Sequence, residues 1–135
     1  YGKRVKAFRK KKLIFNEAIL KRLENTQIEN TDALRVIKSR DTEDAFHYVD
    51  PPYIDSNQGH YGGYTEADYK QLLDTLVSLK GKFLLSSYPS DMLAEYSKKQ
   101  GWHTKIFDKP LSAQKAIAGK TRSRKIEMLT ANYPI

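Results

Sequence analysis

Along most of this chain, short apolar runs alternate with stretches whose apolar residues recur at helical spacing. That alternation restricts the fold more than any other feature. Residues 46–49 (Phe-His-Tyr-Val), 83–86, 102–107 and 125–131 read as strands. Between them, residues 65–79 carry Tyr69, Leu72, Leu73, Leu76 and Leu79 on one helical face, and residues 89–100 form a helix stopped by Gly101. Thr65 with Asp68 three residues on is close to a capping box. Upstream, residues 16–23 read as a short helix capped by Asn16, residues 27–29 as a strand, and residues 32–38 as a helix capped by Thr31 or Asp32. After the first helix the order is β-α-β-α-β-α-β-β. It predicts an α/β domain with a largely parallel sheet, helices on its faces and a closing antiparallel hairpin at the sheet edge. Residues 54–64 and 110–124 read as loops.

A chain of 135 residues is long enough for one domain with its own core. It opens on Tyr1 and a basic stretch with little apolar period, which suggests a piece of a longer protein. The net charge is +8, and the basic residues are clustered. Lys3, Arg4, Lys6, Arg9, Lys10, Lys11 and Lys12 form one group; Lys120, Arg122, Arg124 and Lys125 form another. Concentration of this kind points to a polyanion, nucleic acid ahead of membrane, although a solvated basic face is the plainer alternative. The absence of cysteine excludes disulfides, thiolate metal sites and a cysteine nucleophile from this segment. The three histidines lack ligand spacing, so no metal site is expected. No apolar run approaches membrane-spanning length, and a cytoplasmic location is expected.

The chemistry concentrates at Asp50-Pro51-Pro52-Tyr53, at the carboxyl end of the strand over residues 46–49. Two prolines fix φ and remove two N–H donors, so the carbonyls beside them are held in place. A carboxylate and a fixed carbonyl can accept both hydrogens of an exocyclic amine on a nucleobase. That draws the nitrogen toward a tetrahedral form and aims its lone pair at an incoming methyl group. Asp50 supplies one acceptor, Pro51 the second, and Tyr53 a surface for stacking. The target base must leave the duplex to reach such a corner. The contribution is orientation plus stabilisation of developing positive charge. A plain turn with Tyr53 as packing is the competing reading. The carboxyl end of a strand in an α/β sheet is where such folds bind ligands.

This motif after an apolar strand resembles that of the S-adenosylmethionine-dependent amino-methyltransferases, and the longer pattern resembles the Dam-like, alpha-class family of adenine-specific DNA methyltransferases. The likeness runs through Ile28-Glu29-Asn30-Thr31-Asp32-Ala33-Leu34, then Phe46 to Tyr53 and Gly59-His60-Tyr61. It continues through Phe83-Leu84-Leu85-Ser86-Ser87-Tyr88 and Glu127-Met128-Leu129-Thr130-Ala131-Asn132-Tyr133. The resemblance implies the carboxyl-terminal part of a Rossmann-like methyltransferase sheet. Residues 1–24 would be the end of a target-recognition region with a connecting helix, and residues 25–135 the catalytic part. The family's glycine-containing cofactor loop is not visible and would precede this segment.

The resemblance further implies S-adenosyl-L-methionine as cofactor, held by Asp32, Ala33 and Asp50, and double-stranded DNA as substrate. Tyr61 and Tyr64, in a loop with Gly59, Gly62 and Gly63, would cover the flipped base or touch DNA. Lys120, Arg122, Arg124 and Lys125 would meet phosphates. A restriction endonuclease is a possible partner. His60 is a loop or DNA-contact residue on this reading, and His47 a structural one. The expected activity is site-specific adenine N6-methylation of DNA. The same acceptor geometry also serves N4-methylation of cytosine or methylation of RNA adenine, and a basic nucleic-acid-binding module without catalysis is the alternative of another class.

Overall fold

The computed structural model describes residues 16–53, 63–110 and 124–135, and of residues 109, 110 and 124 the backbone alone. The chain divides into two compact units, Tyr1–Thr31 and Asp32–Ile135. In the first, helix α1 spans Glu17–Leu23, with the Asn16 side chain accepting from the Ile19 amide at 3.2 Å. Residues 27–29, expected as a strand, join no sheet. Ile28 is 86% exposed, and the Gln27 amide donates to the Glu29 carboxylate at 2.8 Å. One apolar residue between polar neighbours offers a sheet nothing to bury.

The second unit runs α2 (Ala33–Arg40), β1 (Phe46–Val49), α3 (Glu66–Val77), β2 (Lys82–Ser87), α4 (Asp91–Gln100), β3 (His103–Pro110) and β4 (Arg124–Ala131). Its four strands form one sheet in the order β1-β2-β4-β3. β1 pairs with β2 in parallel, whereas β4 is antiparallel to both β2 and β3. One expectation is corrected here: the pairing is mixed rather than largely parallel, with one parallel and two antiparallel ladders. The expected antiparallel hairpin does lie at the sheet edge, with β3 as the edge strand and β4 between it and β2. β1, β2 and β3 still run in the same direction, as helix-linked strands should. β4 runs antiparallel to both neighbours and occupies the position between β2 and β3.

The core lies where α3 and α4 meet the sheet residues. Tyr69, Leu72, Leu73 and Leu76 recur at helical spacing and are buried with Val49, Phe83, Leu85, Leu93 and Met128. Leu73, Phe83, Leu85 and Leu93 are fully buried, each contributing roughly 1.5–3 kcal/mol of apolar transfer. The start of α3 is fixed by a complete capping box. Thr65 Oγ1 accepts from the Asp68 amide at 3.2 Å, and the Asp68 carboxylate accepts from the Thr65 amide at 2.7 Å. α4 begins at the Ser90 cap, directly after Pro89, and ends at Gly101, whose φ of 67° is left-handed.

Two polar clamps tie β2 to the segment leading into β1, and a third ties the end of β4 to the start of β2. The Asp41 carboxylate accepts from the Lys80 and Gly81 amides at 2.8 and 3.0 Å. Asn132 accepts from the Phe83 amide and donates to the Gly81 carbonyl, both at 3.0 Å. The Lys82 amide donates to the Ala45 carbonyl at 2.8 Å. Gly81 is compressed between these strands: a Cβ there would fall 2.6 Å from the Ala45 oxygen and 2.7 Å from that of Thr42. The register puts Val49 beside Leu85, so the residues after each strand emerge side by side.

Candidate active site

Asp50-Pro51-Pro52-Tyr53 leaves β1 next to Ser86-Ser87-Tyr88 at the end of β2. Asp50 is exposed, while Pro51, Pro52 and Tyr53 are partly buried. The Tyr53 and Ser86 hydroxyls share a hydrogen bond of 2.9 Å. The Tyr53 ring meets that of Tyr88 edge-on, with centroids 4.4 Å apart. Lys125, on β4, donates to the Tyr88 hydroxyl at 2.7 Å, and its Nζ lies 4.7 Å from the centre of the same ring. Burial raises the pKa of the Tyr53 hydroxyl; the Ser86 bond pulls it back, and the nearby Asp50 carboxylate pushes it further up. Tyr53 therefore stays protonated at neutral pH, its ring held from β2 and, through Tyr88, from β4.

Beside this motif is a cavity of about 570 Å³, within the size range of small-molecule sites. One wall is Pro51, Pro52 and Tyr53. Opposite are Glu66 and Tyr69 of α3, and the segment from Ser87 through Tyr88, Pro89 and Ser90 to Asp91 and Met92 at the start of α4. Among the described residues, the lining carries two carboxylates, Glu66 and Asp91, and neither lysine nor arginine. Such a cavity disfavours phosphate and suits a neutral or cationic ligand bearing hydrogen-bond donors.

The other residues singled out in the sequence fall as follows. Asp32 is the N-cap of α2, accepting from the Arg35 amide at 2.9 Å, and Ala33 is that helix's first residue; both are exposed. Tyr64 packs against the core, half-buried, and burial pushes its hydroxyl up to about 12, with Tyr69 and Asp68 adding to the effect. Lys125 is partly buried against Tyr88. Arg124 opens β4, its side chain outside the described residues. Tyr61, His60, Lys120, Arg122 and the basic residues 3–12 also lie outside the described residues. His47 lies 3.4 Å from the Asp41 carboxylate, at the start of the sheet strands and away from the motif.

Several lining residues were not singled out in the sequence: Glu66, Tyr69, Asp91 and Met92. Tyr69 reads as one more apolar position on the α3 face. The signal that it differs is its polar tip, because a buried tyrosine hydroxyl needs a partner. Ser86 and Ser87 entered only as part of a resemblance, and neither had a role until the fold placed them beside Tyr53 and the cavity.

A family model described as D12 class N6 adenine-specific DNA methyltransferase matches residues 1–124. Comparisons with curated proteins and with solved structures returned no match.

Proposed function

Because the chain belongs to the family of D12 class N6 adenine-specific DNA methyltransferases, we propose that Asp50-Pro51-Pro52-Tyr53 is its methyl-transfer corner. The family activity is site-specific methylation of adenine N6 in DNA. On this reading the Asp50 carboxylate and the Pro51 carbonyl accept the two N6 hydrogens of a flipped adenine. Pro52 keeps that carbonyl rigid, and Tyr53 stacks on the ring. The amine lone pair, otherwise delocalised into the base, is localised and directed outward. The Asp50 charge then stabilises the positive charge that develops on nitrogen before a proton departs. The observation that carries this reading is the fixing of Tyr53 by Ser86 and Tyr88 at the wall of the 570 Å³ cavity.

The family implies S-adenosyl-L-methionine as the methyl donor; it supplies an electrophilic methyl on a sulfonium. The residues fit a cationic group: Asp50 and Asp32 are exposed carboxylates, and the cavity lining is acidic. Asp32 and Ala33 would hold the donor at the start of α2, where one Asp32 oxygen caps the helix. Pairing β1 with β2 in parallel and placing ligand groups at their carboxyl ends is consistent with part of a Rossmann-like sheet, helices covering both faces. Residues 25–135 would be catalytic and residues 1–24 the end of a recognition region. DNA contact would come from Tyr61, Tyr64, Lys120, Arg122 and Arg124, whereas Lys125, also expected there from the sequence, is engaged by Tyr88; a restriction endonuclease would be the cellular partner. Asp50→Asn tests the corner: methyl transfer in a single turnover should fall at least a hundredfold with DNA binding retained. A variant with parental transfer rates would refute the assignment.

A further inference from the structure

The floor of the cavity holds two hydroxyls that the transfer corner does not use. Tyr69 is 4% exposed and Ser87 3% exposed, and both line the cavity with Pro51, Pro52 and Tyr53. Neither Tyr69 Oη nor Ser87 Oγ has a hydrogen-bond partner among the described residues. The Tyr69 hydroxyl is close enough to Ser87 and Ser90 to feel them, yet no pair closes to bonding geometry. Leaving a hydroxyl buried and unpaired is costly, and phenylalanine and alanine would fill the same space without that cost.

Neighbouring hydroxyls show the contrast. Ser86 is bonded to Tyr53, Thr75 donates to the Gln71 carbonyl at 2.8 Å, and Ser90 caps α4. Ser97 and Thr130 are also buried without a partner among the described residues, but neither lines the cavity. Burial alone therefore does not single out Tyr69 and Ser87; their shared position on the cavity wall does. Glu66 and Asp91 can only accept hydrogen bonds when ionised, whereas a hydroxyl can donate. The adenine ring nitrogens N1, N3 and N7 are acceptors, so they require donors of this kind.

We infer that Tyr69 and Ser87 donate hydrogen bonds to ring nitrogens of the flipped adenine, and so set which base the corner accepts. This rests on the assignment of the corner under Proposed function. The amine would meet acceptors at Asp50 and Pro51, and the ring edge would meet donors at Tyr69 and Ser87. A base with the opposite pattern would leave both hydroxyls unpaired, which is the stronger form of discrimination.

The test uses Tyr69→Phe and Ser87→Ala in the full chain, with DNA carrying 1-deaza-, 3-deaza- or 7-deazaadenine at the mapped methylation site. Each variant should lose about tenfold in kcat/KM for DNA, the effect of one hydrogen bond to a buried partner. The KM for S-adenosylmethionine should not move, and Tm should stay level or rise, since an unpaired hydroxyl has been removed. On one deazaadenine the parent should fall by a similar factor, with the variant losing nothing further. Equal penalties on all three analogues, a raised KM for the cofactor, or a fall in Tm would each overturn the inference while leaving the corner intact. A parent that forms no N6-methyladenine would instead remove the reading on which it rests.

Discussion

The Tyr53 and Ser86 hydroxyls stand 2.9 Å apart although 33 residues separate them in the chain. The bond joins the motif after β1 to the end of β2, and the ring it fixes is the one proposed to stack on the target base. Its strength is modest, because a neutral hydroxyl pair contributes about 1 kcal/mol net. Its use is to hold one ring orientation. Ser86→Ala should therefore lower the single-turnover methylation rate by roughly threefold to tenfold, with little change in overall stability. Tyr53→Phe, which keeps the ring edge on Tyr88, should match it, and Tyr53→Ala should be far worse. Stopped reactions scored by methyl incorporation separate these cases; equal losses for Phe and Ala would show that ring stacking is not what Tyr53 provides.

Lys125 gives a prediction in which charge and geometry diverge. A lysine that meets a phosphate contributes close to one unit to the salt dependence of DNA binding. Lys125 instead donates to Tyr88 at 2.7 Å and lies over its ring. Lys125→Met should reduce the methylation rate by loosening Tyr88 against Tyr53, and leave the slope of log Kd against log salt unchanged. A slope reduced by about 0.9 with unaltered chemistry would assign Lys125 to the DNA backbone.

Much of this architecture was legible in the sequence because it is local. The strand over residues 46–49 ends where the two prolines remove its donors, and the apolar face of α3 is spaced as the helix requires. What was not legible is long-range. Nothing near residues 124–131 encodes insertion beside β2; that placement is decided by pairing Leu84 to Ser87 with Ala131 to Met128. β3 runs on to Pro110 because Asp108 to Pro110 find partners in Ile126 to Arg124, although the local pattern weakens after Phe107. The candidate site divides in the same way. The motif announces itself, whereas Ser86, Tyr69 and Ser87 acquire meaning only when β1, β2 and α3 are assembled.

Asp41 provides a pH prediction. Hydrogen bonds from the Lys80 and Gly81 amides hold its carboxyl below the ordinary range, against a smaller opposing effect of burial, and His47 adds to the lowering. A carboxyl with a lowered pKa in the folded state contributes stability above its unfolded value, near 4, and that contribution is lost as pH falls through the folded value. Asp41→Asn should thus lower Tm at pH 7, with the gap to the parent closing below about pH 4. Thermal melts between pH 7 and pH 3 read this directly; a gap that stays constant would mean that shape rather than charge is what Asp41 supplies to the clamp.

The central claim is that Asp50 takes the amine of an adenine in DNA. Its most direct test is nucleoside mass spectrometry of unmethylated DNA incubated with S-adenosylmethionine and the longest available form of the protein, beside its Asp50→Ala variant. The account predicts N6-methyladenine from the parent and none above background from the variant. N6-methyladenine from both in equal amounts would contradict it.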